Sequence, residues 1–141
     1  MQVFKSKAGY ELLIPITVFF VGMIVWVIID GAPMAAILTV GSILLITYAF
    51  VLYTFLGTTY TVADDGYLYI KSGFMKYQPV NIGTIITITK TQNPISSPAP
   101  SLDRIEVFYG KFKSVVISPK DKLGLVKALK EVNPKISYHP K

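Results

Sequence analysis

Two long apolar runs occupy the first third of the chain, and short alternating segments follow them. The first run is Leu12–Ile29 and the second is Pro33–Leu56. As helices they would reach about 27 Å and about 36 Å, which suits a hydrocarbon core of about 30 Å. Asp30 is the only charged residue in the whole stretch from Leu12 to Leu56. The pattern predicts a membrane protein that starts with a two-helix transmembrane hairpin.

A four-residue turn, Asp30-Gly31-Ala32-Pro33, separates the two runs. Gly31 suits a helix end and Pro33 suits the first position of the next helix, so we expect antiparallel neighbours. A cleaved signal peptide is disfavoured, because the first run is longer than an apolar region of about 7–15 residues and a second run follows at once. A buried hairpin of a soluble protein would need polar residues along one face of each helix, and neither run has them.

From Thr58 onward the pattern favours short strands. Thr58–Val62 and Tyr67–Lys71 flank an Asp-Gly turn, which is typical of a β-hairpin. Alternation with a period of two places Ile86 and Ile88 together on the inner face of a later strand. The further predicted strands lie around Met75–Pro79 and at Ile86–Thr91, Arg104–Tyr109 and Ser114–Ser118.

A helix is predicted to close the fold. Ser118 suits the N-cap, Pro119 the first helical position and Asp121 the third, a variant of the capping box. Asn133-Pro134 ends the helix. Its apolar stripe is Leu125, Val126, Leu129 and Val132. Six or seven antiparallel strands capped by one helix are the plan of a mainly-β, pleckstrin-homology-like (PH-like) barrel.

Several segments resemble the bacterial PH-like domain of the YyaB-like group. They are Asp64-Asp65-Gly66, Tyr69-Ile70-Lys71, the stretch 93–104 and Ile117-Ser118-Pro119-Lys120-Asp121. The resemblance covers roughly residues 58–134, and Pro100 departs from the apolar residue expected there. It implies a PH-like fold and a bacterial source, and many members of the group are small proteins with two membrane spans before the domain, but it implies little about activity. We therefore divide the chain into an N-terminal segment with its hairpin (1–57), a PH-like domain (58–134) and a flexible tail (135–141).

The net positive charge of the chain belongs to its second part. Residues 58–141 hold 12 Lys/Arg against 6 Asp/Glu, whereas residues 1–57 are balanced. Beside a bilayer this favours an anionic lipid surface over nucleic acid as a partner. The candidate lipid-facing residues are Lys71, Lys76, Lys90, Lys111 and Lys113, near strand ends; the alternative is an ordinary solvated surface. Lys5 and Lys7 before the first span, and the basic domain after the second, place both termini in the cytoplasm of a bacterial cytoplasmic membrane protein.

The connection 91–102 holds three prolines and three serines and no regular pattern. Connections of this length are often functional, so it is a candidate contact for a protein partner. The alternative is a rigid crossover between two halves of the domain. We expect Asp103 to accept hydrogen bonds from backbone amides near Ser101, and Arg104 to lie on the surface. The candidate residues are Asn93, Pro94, Ser96, Ser97, Pro98, Ser101, Asp103 and Arg104.

Catalytic chemistry finds no support in the sequence. The single histidine, His139, lies in the predicted tail, and the chain has no cysteine. We expect no cofactor, no metal and no enzymatic activity. The favoured function is a membrane-anchored PH-like binding or scaffold module on the cytoplasmic face, which contacts a protein partner or an anionic lipid surface. The alternative is a small accessory subunit of a membrane complex, in transport or peptide immunity, that acts mainly through its helices.

Overall fold

A computed structural model describes residues 1–94 and 99–140. The predictions for Ser96, Ser97 and Pro98 therefore lie outside the described residues. The helices are α1 (Tyr10–Ile29), α2 (Met34–Leu56) and α3 (Lys122–Val132). The strands are β1 (Gln2–Lys5), β2 (Thr58–Val62), β3 (Tyr67–Ser72), β4 (Met75–Lys76), β5 (Val80–Asn81), β6 (Ile85–Thr91), β7 (Arg104–Tyr109), β8 (Lys113–Ile117) and β9 (Ser137–His139).

The two long apolar helices form a hairpin, as predicted. Gly31 takes a positive φ of 71° in the turn, and Pro33 is the N-cap of α2 and not its first helical residue. Across the pair, the Thr17 hydroxyl lies 2.8 Å from the Tyr48 hydroxyl, and the Phe20 ring lies 5.4 Å from the Tyr48 ring. No residue of either helix is buried. Both helices are long and apolar enough to be candidate membrane spans.

The rest of the described chain builds two sheets around one core. The first sheet has the order β1-β2-β3-β4, with β5 also paired to β3, and the second has the order β8-β7-β6-β9. All pairs are antiparallel except β6–β9, which is parallel. The predicted β2–β3 hairpin is present, with Gly66 at a φ of 82° in its turn. The core joins both sheets to α3, and its largest fully buried side chains include Tyr60, Leu68, Ile82, Ile88, Ile105, Ile117 and Leu129.

One strand face differs from the sequence-based prediction. Ile88 is buried as expected, but Ile86 is 59% exposed and Ile85 takes the inner position. The pairing between β6 and β7 shifts register between Ile85 and Thr87, as in a β-bulge. An extra residue in a strand moves the side chains before it to the opposite face of the sheet. A pattern with a period of two does not reveal where such a residue lies.

The closing helix starts three residues later than predicted. Its N-cap is Asp121, whose carboxylate accepts a hydrogen bond from the amide of Gly124 at 2.9 Å. Ser118 is instead buried in a hydroxyl cluster below the helix. Leu125 and Leu129 are fully buried as expected, whereas Val132 is 47% exposed.

Both ends of the chain join the sheets, which the sequence-based division did not include. β1 pairs with β2, so the N-terminal residues extend the first sheet. Residues 135–141 were expected to be a flexible tail, but β9 pairs with β6 and Ile136 is buried in the core. The PH-like unit therefore uses residues from both sides of the helical hairpin.

Candidate functional site

The start of α1 packs directly against the domain. Gly9 precedes the helix and is buried against Pro100 and Ser101. A Cβ atom at Gly9 would lie 2.6 Å from the Cα of Ser101, so no larger residue fits without moving backbone. The Ser101 hydroxyl also donates to the Glu11 carboxylate at 3.2 Å. These contacts fix the first turn of α1 to the end of the 91–102 connection.

The end of α2 is held on the other side. Gly57 alone separates α2 from β2. The buried Thr58 hydroxyl donates to the carbonyl of Thr54 at 2.9 Å and lies 2.9 Å from the Ser72 hydroxyl. Gly73 adopts a positive φ of 56°, and a Cβ there would lie 3.1 Å from the Cα of Thr54. The β3–β4 turn is thereby packed against the last turns of α2.

An exposed aromatic side chain extends this packing along the helix. Phe74, in the β3–β4 turn, places its ring 4.6 Å from the Tyr53 ring and 6.4 Å from the Phe50 ring. Both partners lie on α2, yet Phe74 remains 73% exposed. The turn therefore adds an apolar surface that is continuous with the exposed surface of the hairpin.

A buried hydroxyl cluster ties β1 to the core. The Tyr60 hydroxyl accepts a hydrogen bond from the Ser118 amide at 3.0 Å and donates to the Ser6 hydroxyl at 3.4 Å. Ser6 in turn lies 3.1 Å from the Ser118 hydroxyl. Burial raises the pKa of Tyr60, so the phenol stays neutral over the physiological range. The cluster is a structural link between the N-terminal segment and the strand β8.

Arg104 is buried, and the expectation that it lies on the surface is wrong. Its guanidinium donates to the carbonyl oxygens of Ser101, Ala99 and Asn93, the last two at 2.7 and 2.8 Å. Burial lowers the pKa of Arg104. One side chain thus binds both ends of the irregular connection, because a planar fork of donors can serve several carbonyls together.

Asp103 forms an ion-pair network, and among the described residues no backbone amide donates to its carboxylate, contrary to the prediction. One carboxylate oxygen accepts from Lys7 Nζ at 3.1 Å, and the other accepts from Lys122 Nζ. The pKa of Asp103 is lowered, first by the hydrogen bond from Lys122 and also by Lys7. The backbone of Asp103, not its carboxylate, makes the hydrogen bond with Ser101: the Asp103 amide donates to the Ser101 hydroxyl at 3.2 Å. Asp103 links the N-terminal segment to α3.

A groove opens where the hairpin meets the domain. Its volume is about 670 Å³. One side is basic, with Lys5 and Lys120 exposed and adjacent, because the amide of Lys120 donates to the carbonyl of Lys5 at 2.9 Å. The apolar part of the lining comes from the last turn of α2. The lining residues are Lys5, Ser6, Lys7, Ala8, Tyr10, Glu11, Phe55, Leu56, Asp103 and Lys120.

The five lysines predicted to share a lipid-facing rim are separated. Lys71 and Lys76 are directly paired across β3 and β4, beside the end of α2. Lys90 lies near the end of β6 where the connection to β7 begins. Lys111 and Lys113 lie in and after the β7–β8 turn, at the far end of β7 from the hairpin. Five residue steps of strand, about 17 Å, separate that turn from Arg104.

The described part of the candidate partner loop is divided between the surface and the interior. Asn93 and Pro94 are exposed, whereas Ser101 and Arg104 are buried. Its role as a partner contact stays a prediction. Sequence reasoning missed the groove, because in the sequence Lys5 and Lys7 indicate only membrane orientation and Lys120 lies in the first turn of the predicted helix. The only local feature of the sequence that indicates a strand next to Lys5 is the pair Val3-Phe4, whose side chains favour β-structure.

The described residues offer no group of three His, Cys, Asp or Glu side chains that could hold a metal ion. The junction instead combines lysines, fixed carboxylates, hydroxyls and an apolar wall. Side chains of these types can bind a ligand through its charge and its shape.

Two sheets capped by a C-terminal helix place the domain among the PH-like modules, which generally bind proteins or lipids and are generally not catalytic. The sequence profile described as "Bacterial PH domain" matches residues 58–133, more than half of the chain. The chain therefore belongs to the bacterial PH domain family. A search of curated proteins and a search of solved structures each returned no match.

Proposed function

We propose that this chain is a binding and scaffold module held at the cytoplasmic face of the bacterial cytoplasmic membrane, where it contacts a protein partner or an anionic lipid surface. The helices α1 and α2 form the anchor. The PH-like domain forms the binding surface. The mechanism is localisation, because tethering raises the effective concentration of the domain at the membrane and lets weak contacts be occupied.

The observation that carries this proposal is the unburied apolar hairpin joined closely to the domain. No residue of α1 or α2 is buried, although both helices are long and apolar enough to be candidate membrane spans. Apolar surface of this extent in water would be a severe cost, since contiguous apolar patches on soluble monomers rarely exceed a few hundred Å². Lipid removes that cost.

The close attachment of the domain gives the anchor a second role. Gly57 alone links α2 to β2, and the contacts of Gly9 and Gly73 hold both helix ends against the domain. A short and packed junction fixes which face of the domain meets the bilayer. This supports a module that presents one defined surface to the lipid and another to the cytoplasm.

Membrane extraction and reporter fusions test the proposal. We expect the full chain to stay in the membrane fraction after alkaline extraction, and cytoplasmic reporters to be active at both termini. Alkaline release of the chain, or reporters active on opposite sides, would contradict the anchor or its orientation. A variant with Leu→Lys changes at Leu44 and Leu45 in the middle of α2 is the control for orientation: α1 remains as the single span, so the C-terminal reporter should no longer be active in the cytoplasm.

A second candidate function is that of a small accessory subunit of a membrane complex, which acts through its helices. The observation that favours it is an apolar cavity of about 220 Å³ on the hairpin surface, lined by residues of both helices that include Phe20, Ile24 and Leu44. A neighbouring helix could fill it. Replacing α1 and α2 with an unrelated hairpin separates the two proposals: retained partner binding supports the module, and loss despite normal insertion supports the subunit.

A further inference from the structure

We infer that the groove between β1, the end of α2 and the segment before α3 binds the headgroup of an anionic phospholipid, with Lys5 and Lys120 holding its phosphate. The inference rests on the proposed function, since it requires α1 and α2 to cross the bilayer. It goes further by naming one lipid class and one site. The site is separate from the five lysines that the sequence singled out.

Lys5 and Lys120 supply positive charge to the groove. Within residues 1–94 and 99–140, neither side chain makes an ion pair. Their backbones are hydrogen-bonded to each other, so the two side chains start from adjacent positions on one wall of the groove. An ammonium is a compact point charge that binds phosphate oxygens well.

The carboxylates at the groove are already engaged. Asp103 accepts hydrogen bonds from Lys7 and Lys122, and Glu11 accepts one from Ser101. Lys5, Lys7 and Lys120 line the groove together with Glu11 and Asp103, and Lys122 binds Asp103 from outside that lining. Four lysines therefore stand against two carboxylates, a formal excess of two positive charges that favours an anionic ligand.

The apolar wall decides between a lipid and a soluble phosphate. Phe55 and Leu56 form the last turn of α2 and line the groove together with Tyr10. Leu56 and Tyr10 are exposed and continue the apolar surface of the helices. A ligand with a phosphate at one end and acyl chains at the other matches both walls. A soluble phosphate ester would leave these apolar side chains exposed to water.

The position of the groove at one end of the hairpin suits the headgroup of a phospholipid. α1 begins at Tyr10 and α2 ends at Leu56, so the groove lies beyond one end of both helices. The helices span about 30 Å and about 35 Å, which fills the hydrocarbon core. A groove at that end lies at the level of the phosphates of one leaflet. Its volume of about 670 Å³ is in the usual range for small-ligand sites.

Lipid titration of the full chain tests the inference. Short-chain phosphatidylglycerol is added to the protein in zwitterionic detergent micelles, and bound lipid is counted by native mass spectrometry. A lysine beside anionic lipid strengthens binding about fivefold, so we expect K5Q/K120Q to weaken it by about 30-fold. K111Q/K113Q removes the same charge from the far end and should change binding by less than about twofold, because that turn lies beyond the Debye length. K5R/K120R keeps both charges and should retain binding even if the glutamine variant folds poorly.

Three outcomes would overturn the inference. They are equal binding of phosphatidylcholine, equal weakening by both glutamine pairs, and full competition by soluble glycerol phosphate. Membrane retention after alkaline extraction is measured on the same variants. Retention without selective lipid binding overturns this inference and leaves the anchor intact, whereas loss of retention by the unmodified chain overturns the proposed function itself.

Discussion

Arg104 fixes a long irregular connection with one buried side chain. Its three donors reach carbonyls of Asn93, Ala99 and Ser101, residues on both sides of the segment 95–98. Burying a charge is costly unless it is hydrogen-bonded, and here the carbonyl dipoles supply that compensation. Residues 99–101 lie beside the start of α1 and are held by this side chain, so its contribution is to order the junction.

We expect Arg104→Lys to lower the free energy of unfolding by about 2 kcal/mol, because a single ammonium cannot reach three carbonyls arranged for a planar fork. The thermal unfolding midpoint of the full chain in detergent micelles measures this, at about 4–8 °C per kcal/mol for a domain of this size. Lys90→Gln, an exposed change on the neighbouring strand β6, is the control and should have little effect. A shift of Arg104→Lys no larger than that control would show that the buried fork is not required.

Asp103 gives the junction a pH dependence whose sign follows from its lowered pKa. A carboxyl that titrates lower in the folded state stabilises the fold above its unfolded pKa of about 3.9, and this stability is lost as the pH falls through the folded value. The carboxylate is 34% exposed, so solvent screening keeps the contribution to about 1 kcal/mol or less.

We therefore expect Asp103→Asn to be less stable than the unmodified chain at pH 7, and the difference to shrink below about pH 4. Unfolding midpoints at a series of pH values measure it. Glu106→Gln is the control for the loss of one carboxylate, since Glu106 makes no ion pair within the described residues. A difference for Asp103→Asn that is constant down to pH 2 would contradict the ion-pair account.

At the scale of single elements, the sequence predicted those whose signals are local and long. The hairpin helices follow from apolar runs, and β2 and β3 from alternation around an Asp-Gly turn. β1 and β9 are too short for a period to show, and only their partners in the sheets stabilise them. The bulge beside Ile86 depends on the partner strand, so tertiary pairing decides it.

The candidate site was less predictable, because its residues are far apart in the chain. Lys5, Asp103 and Lys120 meet only when β1 reaches the start of α3. Arg104 follows a proline-rich connection, and alternation places it on the outer face of β7, where the folded connection then covers it. Burial by an irregular segment leaves no periodic signal in the sequence.

The start of α3 offers a prediction about an element. Asp121 caps the helix by accepting a hydrogen bond from the amide of Gly124. Ser118 belongs to the hydroxyl cluster with Ser6 and Tyr60. We expect Asp121→Ala to lower the free energy of unfolding by about 1 kcal/mol, and Asp121→Asn to keep most of the cap. Helical circular dichroism during thermal unfolding measures both. If alanine and asparagine behaved alike, the side-chain cap would contribute nothing.

At the scale of the whole molecule, the junction makes the hairpin and the domain one body. The contacts of Gly9, Gly73 and Phe74 leave no free linker between them. Phe74 rests on Tyr53 and Phe50, which lie three and six residues before the end of α2, about 5 and 9 Å along its axis. If α2 spans the bilayer, the β3–β4 turn must reach the lipid as well.

This gives a prediction for the orientation of the whole protein. Trp26 is the only tryptophan, so a W26F background allows a single reporter to be introduced. In bilayers with brominated acyl chains we expect the fluorescence of F74W to be quenched strongly. F112W is the matched control, because Phe112 is fully exposed in the β7–β8 turn at the end of β7 away from the hairpin, and it should not be quenched. Quenching at both positions would mean that the domain lies flat on the membrane, and quenching at neither would mean that the turn is held in water and that the packing of Phe74 on α2 does not persist in lipid.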